Sequence, residues 1–337
     1  MQRKKILTGI KPTGTPHIGN YFGMIKPALQ LEKNTDAQSY FFIADYHALT
    51  TVKCAREMAD QVKQVACTWL ACGLDPKRAT FYRQSDVPEI FELSTIISNV
   101  TAKGLMNRAH AYKASVAENI ERGHEADYEV NMGLYTYPVL MAADIMLFDT
   151  DIVPVGADQK QHVEITADIA KSFNAIYGNT LKVPVPQIKK EVAIIPGLDG
   201  KKMSKSYNNV IPLFCTESEL KKCVMRIVTD SSLPTDPKRT DCLIFDLYKL
   251  VASADKIKKM EQRFKSGIGW GDAKKELFDE LNTYLAPMRE KYNYYMANYH
   301  EVESMLQQGA TDARKVARDT IARVRRAIGV SQLGNAK

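Results

Sequence analysis

The chain has 337 residues, 45% of them hydrophobic and 25% charged, with 18 glycines and 14 prolines. That length exceeds one compact core and predicts two lobes, while the composition excludes a disordered, fibrous or disulfide-framework protein. The formal net charge of +7 is modest, but the cations crowd into the last third of the chain, which favours a polyanionic partner.

The start, Met1 to Lys5, is basic, and the apolar run after it stops at Gly9, too short for a signal-peptide core. No run of about 18 apolar residues follows anywhere, so a cytoplasmic protein with no membrane segment is expected. The six cysteines, Cys54, Cys67, Cys72, Cys215, Cys223 and Cys242, form no C-x-x-C pair and read as buried free thiols in a reducing compartment.

Lys5 to Ile10 reads as a short buried strand, followed by the turn residues Pro12, Thr13, Gly14 and Pro16 and a helix from about Ile18 to Glu32. A second strand, Tyr40 to Ala44, leads to Asp45-Tyr46-His47. An amphipathic helix then runs from about Ala55 to Ala71 and stops at Gly73-Leu74-Asp75-Pro76. Thr80 to Arg83 makes a further strand, and helices fill much of the region to Asn107. The stretch 114–129 is charged and aperiodic and reads as a surface loop or a frayed helix.

Tyr137 to Phe148 reads as an apolar helix, Asp151 to Gly156 as a strand and Gln159 to Phe173 as a helix. Beyond Ser206 only helices are predicted, at about Glu217–Thr229, Ile244–Leu250, Asp255–Phe264, Asp272–Tyr299 and Thr311–Ile328. Strands alternating with helices and then helices alone predict an α/β domain with a parallel sheet, followed by a helical lobe.

In such a sheet ligands bind outside the carboxyl ends of the strands, which makes the turn after the first strand the default nucleotide site. The helix opening at Ile18 offers unpaired N–H groups and a positive dipole end to phosphate. Gly19 lets a nucleotide approach the backbone, and His17 and Asn20 carry donors. These residues are equally those of a plain helix start, since neither G-x-G-x-x-G nor a Walker sequence is present. At the joint between the lobes, Lys202-Met203-Ser204-Lys205-Ser206 brings two ammonium groups together across one turn, behind Gly197 and Gly200. Alone, the pentapeptide reads as a mobile pyrophosphate clamp or as a solvated basic loop. Asp144 stands in an apolar helix among Leu140, Met141, Ile145 and Leu147, where a carboxylate needs a partner. That partner is either backbone or the donor of a ligand.

Pro16-His17-Ile18-Gly19-Asn20 resembles the HIGH signature, and Lys202-Met203-Ser204-Lys205-Ser206 matches the KMSKS signature, of class I aminoacyl-tRNA synthetases. Within that class, the stretches Tyr137 to Ile145 and Asp151 to Gln159 resemble bacterial tryptophanyl-tRNA synthetases. The turn Gly9-Ile10-Lys11-Pro12-Thr13-Gly14 and the helical end are similar too, so the resemblance spans nearly the whole chain. It implies a Rossmann-like catalytic domain over 1–206, a helical anticodon-binding domain over 207–299, and a C-terminal helix over 300–337 packing back on the first domain. It also implies a homodimer. The reaction implied is activation of L-tryptophan with ATP, with Mg²⁺ held mainly by the ATP phosphates, and then transfer to tRNA(Trp).

By the same resemblance His17, Asn20, Lys113, Lys202 and Lys205 are the catalytic residues. Lys11, Pro12, Thr13 and Gly19 from the first turn, Gly156, Ala157, Asp158 and Ile194 from the second half, and Met203, Ser204 and Ser206 complete the ATP site. Asp144 takes the indole N–H, with Leu7, His47, Met141, Val153 and Val155 around the ring and Tyr137 and Gln159 at the amino group.

Many relatives carry glutamine at Lys11, threonine at His17 and phenylalanine at Leu7, so Leu7 supplies no aromatic stack and Lys11 adds a charge near the nucleotide. Some relatives hold an iron–sulfur cluster through cysteines in the helical lobe. The corresponding stretch Ile268 to Ala273 has none, and no cluster is expected. Lys256, Lys258, Lys259, Arg263 and Lys265 read as phosphate contacts or as a solvated helix face. The last helix is expected to bury Val316, Ile321, Val324 and Ile328 and to turn Arg314, Lys315, Arg318, Arg323, Arg325 and Arg326 outward. The rival readings are a tyrosyl-tRNA synthetase and a noncatalytic RNA-binding relative of the fold.

Overall fold

The computed structural model describes the chain except residues 1–2, 13, 15, 35, 156–159, 189–194, 202, 205–206 and 331–337, together with the side chains of 34, 155 and 185–188. Strand β1 (Lys5–Ile10) pairs on one side with β2 (Gln38–Ile43) and on the other with β4 (Ile152–Val155). β3 (Ala79–Arg83) extends the sheet beyond β2, and β5 (Val185–Ile188) extends it beyond β4. Every pairing is parallel, in the order β3-β2-β1-β4-β5. The chain winds outward from β1 to β3 and crosses to the other side at β4, so the order reverses between β1 and β4, where such sheets open a ligand crevice.

β5 has no counterpart in the sequence reading. It is four residues long with Pro186 inside it, and a proline run that short carries no strand pattern and is tolerated at a sheet edge.

The helical segment after β1 consists of α1 (Ile18–Asn20), a π turn (Tyr21–Ile25) and α2 (Lys26–Asn34). Then come α3 (Asp45–Ala48) and α4 (Ala55–Ala71), followed after β3 by a tight turn, Gln84–Asp86. α5 (Glu89–Ser98), α6 (Lys103–Met106), α7 (His110–Glu121) and α8 (Met132–Leu147) precede β4, and α9 (Lys160–Tyr177) follows it. Side chains of β2 alternate between two cores. Phe41 and Ile43 pack with Val65 and Trp69 of α4, while Tyr40 and Phe42 pack with Leu93 of α5, Ile145 of α8 and Val163 of α9. Burial on both faces is what a parallel sheet requires.

The α4 core continues into the helical end, where α10 (Glu217–Met225), α11 (Leu243–Val251), α12 (Ala254–Ser266) and α13 (Trp270–Ala297) contribute Leu220, Leu247, Phe264 and Leu281. The last helix, α14 (Tyr299–Ala327), turns back across β3. β3 is the outermost strand on its side, and an uncovered edge is a row of unpaired ladder groups. α14 covers it so closely that a Cβ on Gly309 would stand 1.8 Å from the Phe81 carbonyl oxygen. Only glycine fits there.

Several expectations are corrected. Of the stretch 114–129, expected as a surface loop or a frayed helix, the part up to Glu121 belongs to the regular helix α7. It buries none of its residues, so it shows no apolar period, while its alanines, lysine and glutamates are good helix formers. α14 begins at Tyr299 rather than Thr311, and it buries Ala313 and Ala317 along with Ile321 and Val324, leaving Val316 and Ile328 half-buried. Its arginines are largely spent inside the chain: Arg314 and Arg318 pair with Glu89, Arg323 with Asp149 and Arg325 with Glu92. All six cysteines are free, but Cys54 is exposed and Cys72, Cys223 and Cys242 are half-buried. Among the described residues no helix is long and apolar enough to cross a membrane.

Candidate active site

A cavity of about 520 Å³ opens at the carboxyl ends of β1, β2 and β4, on the β1/β4 side where the strand order reverses. Leu7 from β1, Met141 from α8 and Val153 from β4 give it apolar walls, and Lys11, His47, Tyr137 and Asp144 bring polar groups to it. Six of these residues were expected around tryptophan and Lys11 at the nucleotide, and the fold brings all seven to one cavity.

Asp144 is fully buried. His47 Nε2, carrying its proton toward the carboxylate, donates to Oδ2 at 3.0 Å, and Gln84 Nε2 donates to both oxygens at 2.9 Å. Burial pushes the Asp144 carboxyl above the ordinary aspartate value of 3.8, and the bonds from His47 and Gln84 pull against it. An ionised carboxylate offers about four lone-pair positions, so these partners leave accepting capacity for a donor entering the cavity. The partner demanded by burial is thus side-chain rather than backbone. His47, expected against the indole ring, also holds the acid.

Gln84 was missed. Nothing in a glutamine just after a strand marks it out, yet it is fully buried in the Gln84–Asp86 turn. Its NH₂ must face the carboxylate, since an amide oxygen there would repel it, and Oε1 is left buried with no hydrogen-bond partner. Orienting Asp144 comes at that cost.

At the cavity mouth Lys11 Nζ donates to Thr50 Oγ1 at 2.8 Å, and Thr50 Oγ1 donates to the His47 carbonyl at 2.8 Å. Burial lowers the Lys11 pKa from its ordinary value. The Tyr137 hydroxyl bonds to Nε2 of His162, a buried residue that the sequence reading also missed.

The first turn meets the lysine-rich segment. Ile18 N donates to Ile211 O at 3.0 Å and Leu213 N to Pro16 O at 2.9 Å, so residues just after the pentapeptide pair with the HIGH-like segment. Met203 is buried, and a Cβ on Gly19 would stand 3.3 Å from its sulfur and 2.9 Å from His17 Nδ1. His17 Nδ1 accepts from Asn20 N at 3.3 Å, and Asn20 Oδ1 accepts from His17 N at 3.0 Å. This reciprocal cap puts the proton of a neutral His17 on Nε2 and turns the Asn20 NH₂ outward, which orients both as donors.

Asn209 organises the approach to the pentapeptide and was not singled out from the sequence. It is buried, its Oδ1 accepts from Ser204 N at 2.8 Å, its Nδ2 donates to Asp199 at 2.7 Å, and its carbonyl accepts from Leu198 N at 2.9 Å. Pro12 is buried beside Lys11. Lys113 stands exposed on α7, two positions beyond Ala111, which lines the cavity. Thr13, Gly156, Ala157, Asp158, Gln159, Ile194, Lys202, Lys205 and Ser206, and the side chain of Val155, lie outside the described residues.

The sequence profile of tRNA synthetases class I (W and Y) matches residues 1–286. The chain is 49% identical over 336 residues to the tryptophan–tRNA ligase of Pseudomonas aeruginosa, covering 98% of this chain and 74% of that protein. It is 48% identical over 337 residues to the tryptophan–tRNA ligase of Neisseria meningitidis, covering 99% and 100% of the two. Among solved structures, the tryptophanyl-tRNA synthetase of Campylobacter jejuni complexed with ADP and tryptophan superposes with a TM-score of 0.89 at 41% identity, over 96% of this chain and 99% of that one. A profile match over most of the length, with relatives at almost half identity over nearly all of it, establishes that the chain belongs to the tryptophan and tyrosine family of class I tRNA synthetases.

Proposed function

We propose that the chain is a tryptophan–tRNA ligase in which the buried Asp144 selects the amino acid. The observation that carries the reading is a fully buried carboxylate at the wall of the cavity, held by two side-chain donors and set beside the apolar Leu7, Met141 and Val153. Indole N–H is a donor with no acceptor, and an ionised Asp144 satisfies it while a phenylalanine side chain leaves it unpaired. Leu7, Met141 and Val153 supply apolar contact to the ring, and Tyr137 with Gln159 takes the amino group.

In the first step a carboxylate oxygen of tryptophan attacks the α-phosphorus of ATP. The bond from that phosphorus to the oxygen bridging to the β-phosphorus breaks, and pyrophosphate leaves with the electron pair. In the second, a hydroxyl of the terminal tRNA ribose attacks the adenylate carbonyl and AMP departs. No side-chain nucleophile is needed, and the protein aligns the reactants and stabilises developing charge.

His17 and Asn20 donate to phosphate, Lys202 and Lys205 hold the departing pyrophosphate, and Lys113 reaches the triphosphate. The remaining ATP contacts are Lys11, Pro12, Thr13, Gly19, Gly156, Ala157, Asp158, Ile194, Met203, Ser204 and Ser206. The described residues contain no cluster of carboxylates, imidazoles or thiols suited to a cation. In this reading Mg²⁺ arrives on the ATP phosphates, and no step is assigned to it. The protein works in the cytoplasm as a homodimer, and the helices within 207–299 receive the anticodon end of tRNA(Trp).

ATP–pyrophosphate exchange screened over all twenty amino acids tests the reading. Exchange dependent on tryptophan is expected; exchange supported by tyrosine in its place, or by no amino acid, overturns it.

A further inference from the structure

His47 and Gln84 reach Asp144 from two different strand ends. β2 and β3 stay in register as far as the pair Ile43 and Arg83. Beyond it the ladder stops, and α3 and the Gln84–Asp86 turn leave the sheet separately. A loose pair of chain ends would let two donors drift apart, yet these are tied by one carboxylate. Asp45 Oδ2 accepts from Ser85 Oγ at 2.5 Å, and Oδ1 accepts from Ser85 N at 3.1 Å and Tyr46 N at 3.0 Å. Asp45 opens the short helix that carries His47, and Ser85 follows Gln84 directly. The turn is pinned on its other side as well, where Arg83 donates to Asp86 at 2.7 Å and to Glu303 of α14 at 2.6 and 2.9 Å.

Neither Asp45 nor Ser85 lines the cavity, so neither touches what enters it. Their bond instead closes a ring: Asp45, α3, His47, Asp144, Gln84, Ser85 and back to Asp45. Donors fixed on both oxygens of Asp144 keep the plane of its carboxylate from turning, and the remaining lone pairs then point in one direction. We propose that the Asp45–Ser85 bridge is a positioning device for amino-acid selection, which sets the spacing of the His47 and Gln84 donors and so aims Asp144 at the indole N–H. This inference rests on Asp144 being the indole acceptor. Burial acts to raise the Asp45 carboxyl, with the Ser85 and Tyr46 bonds opposing it, as suits an acid retained for its geometry.

The test compares tryptophan with benzothienylalanine, which replaces the ring N–H by sulfur, in ATP–pyrophosphate exchange by the full chain. Ser85→Ala and Asp45→Asn should lower the ratio of the two kcat/KM values about tenfold. The loss should fall in KM for tryptophan, with KM for ATP and kcat at saturating tryptophan retained, and Ser85→Thr, which keeps the hydroxyl, should hold the wild-type ratio. Ser85→Ala removes a single oxygen from a half-buried site and is the variant expected to fold in every case. If both bridge variants melt at lower temperature but keep the wild-type ratio, the bridge is merely structural and the inference is overturned. Asp144→Asn is measured alongside. An unchanged ratio in that variant takes away the indole reading itself, whereas a lost ratio there with an intact ratio in the bridge variants removes only the role of Asp45 and Ser85.

Discussion

Gly309 of α14 rests on the carbonyl of Phe81 in β3 with no room for a side chain, since a Cβ would stand 1.8 Å from that oxygen and 2.6 Å from the carbonyl carbon. Alanine is the better helix former by about 1 kcal/mol, so propensity alone favours Gly309→Ala. The contact reverses the sign, because backbone on both sides must separate and overpacking of this kind costs roughly 1–3 kcal/mol. Denaturant titration should show Gly309→Ala less stable than wild type. It should also raise KM for tryptophan, because the displaced strand leads into Gln84. A stabilised variant would refute the close packing.

Asn209→Ala tests how the lysine-rich segment is held. It takes the acceptor from Ser204 N and one of two donors from Asp199, and a rate of adenylate formation reduced about tenfold is expected, as for the loss of one or two hydrogen bonds. Lys205→Ala should act in the same direction. For both, tryptophan affinity measured at equilibrium should stay near wild type, and a loss confined to that affinity would contradict the clamp.

The two signatures and the buried acid were legible because each depends on local residue type. Asp144 stood out against Leu140, Met141 and Ile145 without any knowledge of the fold. Its pairing with Gln84 and His47 was not legible, since they lie 60 and 97 positions away in the chain: Gln84 follows a strand like any turn residue, and His47 was named only for the indole ring. α4 is legible to both of its ends, Ala55 and Ala71, because it has one apolar face, whereas α7 has no buried face and so no period. The arginines of α14 looked like an outward basic face because the acids that claim them, Glu89, Glu92 and Asp149, come from distant elements.

Glu89 links acid sensitivity to that packing. Burial acts to raise its carboxyl, but hydrogen bonds from Arg314, its own backbone amide and Arg318 outweigh it, and it lies below the ordinary value of 4.5. A depressed carboxyl contributes stability that is complete above the unfolded value and is lost as pH falls through the folded one. Glu89→Gln should therefore cost about 1.5–3 kcal/mol at pH 7, and its deficit against wild type should shrink below pH 4.5. Chemical denaturation at a series of pH values gives the comparison. A deficit independent of pH would exclude an ionic contribution.

Thiol reactivity should separate the cysteines sharply. Burial pushes Cys67 and Cys215 up to about 11 and Cys72 up to about 12, which leaves almost no thiolate at pH 8, whereas Cys54 is exposed. Iodoacetamide at pH 8 should label Cys54 first in the folded protein and all six cysteines only in denaturant. Peptide mass spectrometry after timed quenching reads this out, and early labelling of Cys72 would contradict the fold around α4.

The path of α14 also bears on how the enzyme comes into being at the ribosome. β3 is among the earlier strands to be made, but Arg83 waits for Glu303, 220 positions later, and the strand's bare edge waits for Gly309. Contacts of such long sequence separation close late. Until the last helix has left the exit tunnel, the turn bearing Gln84 lacks its outer anchor, and an edge strand is open to mispairing with other nascent chains. A nascent chain arrested before α14 should thus hold all five described strands and yet be poor at telling tryptophan from other amino acids.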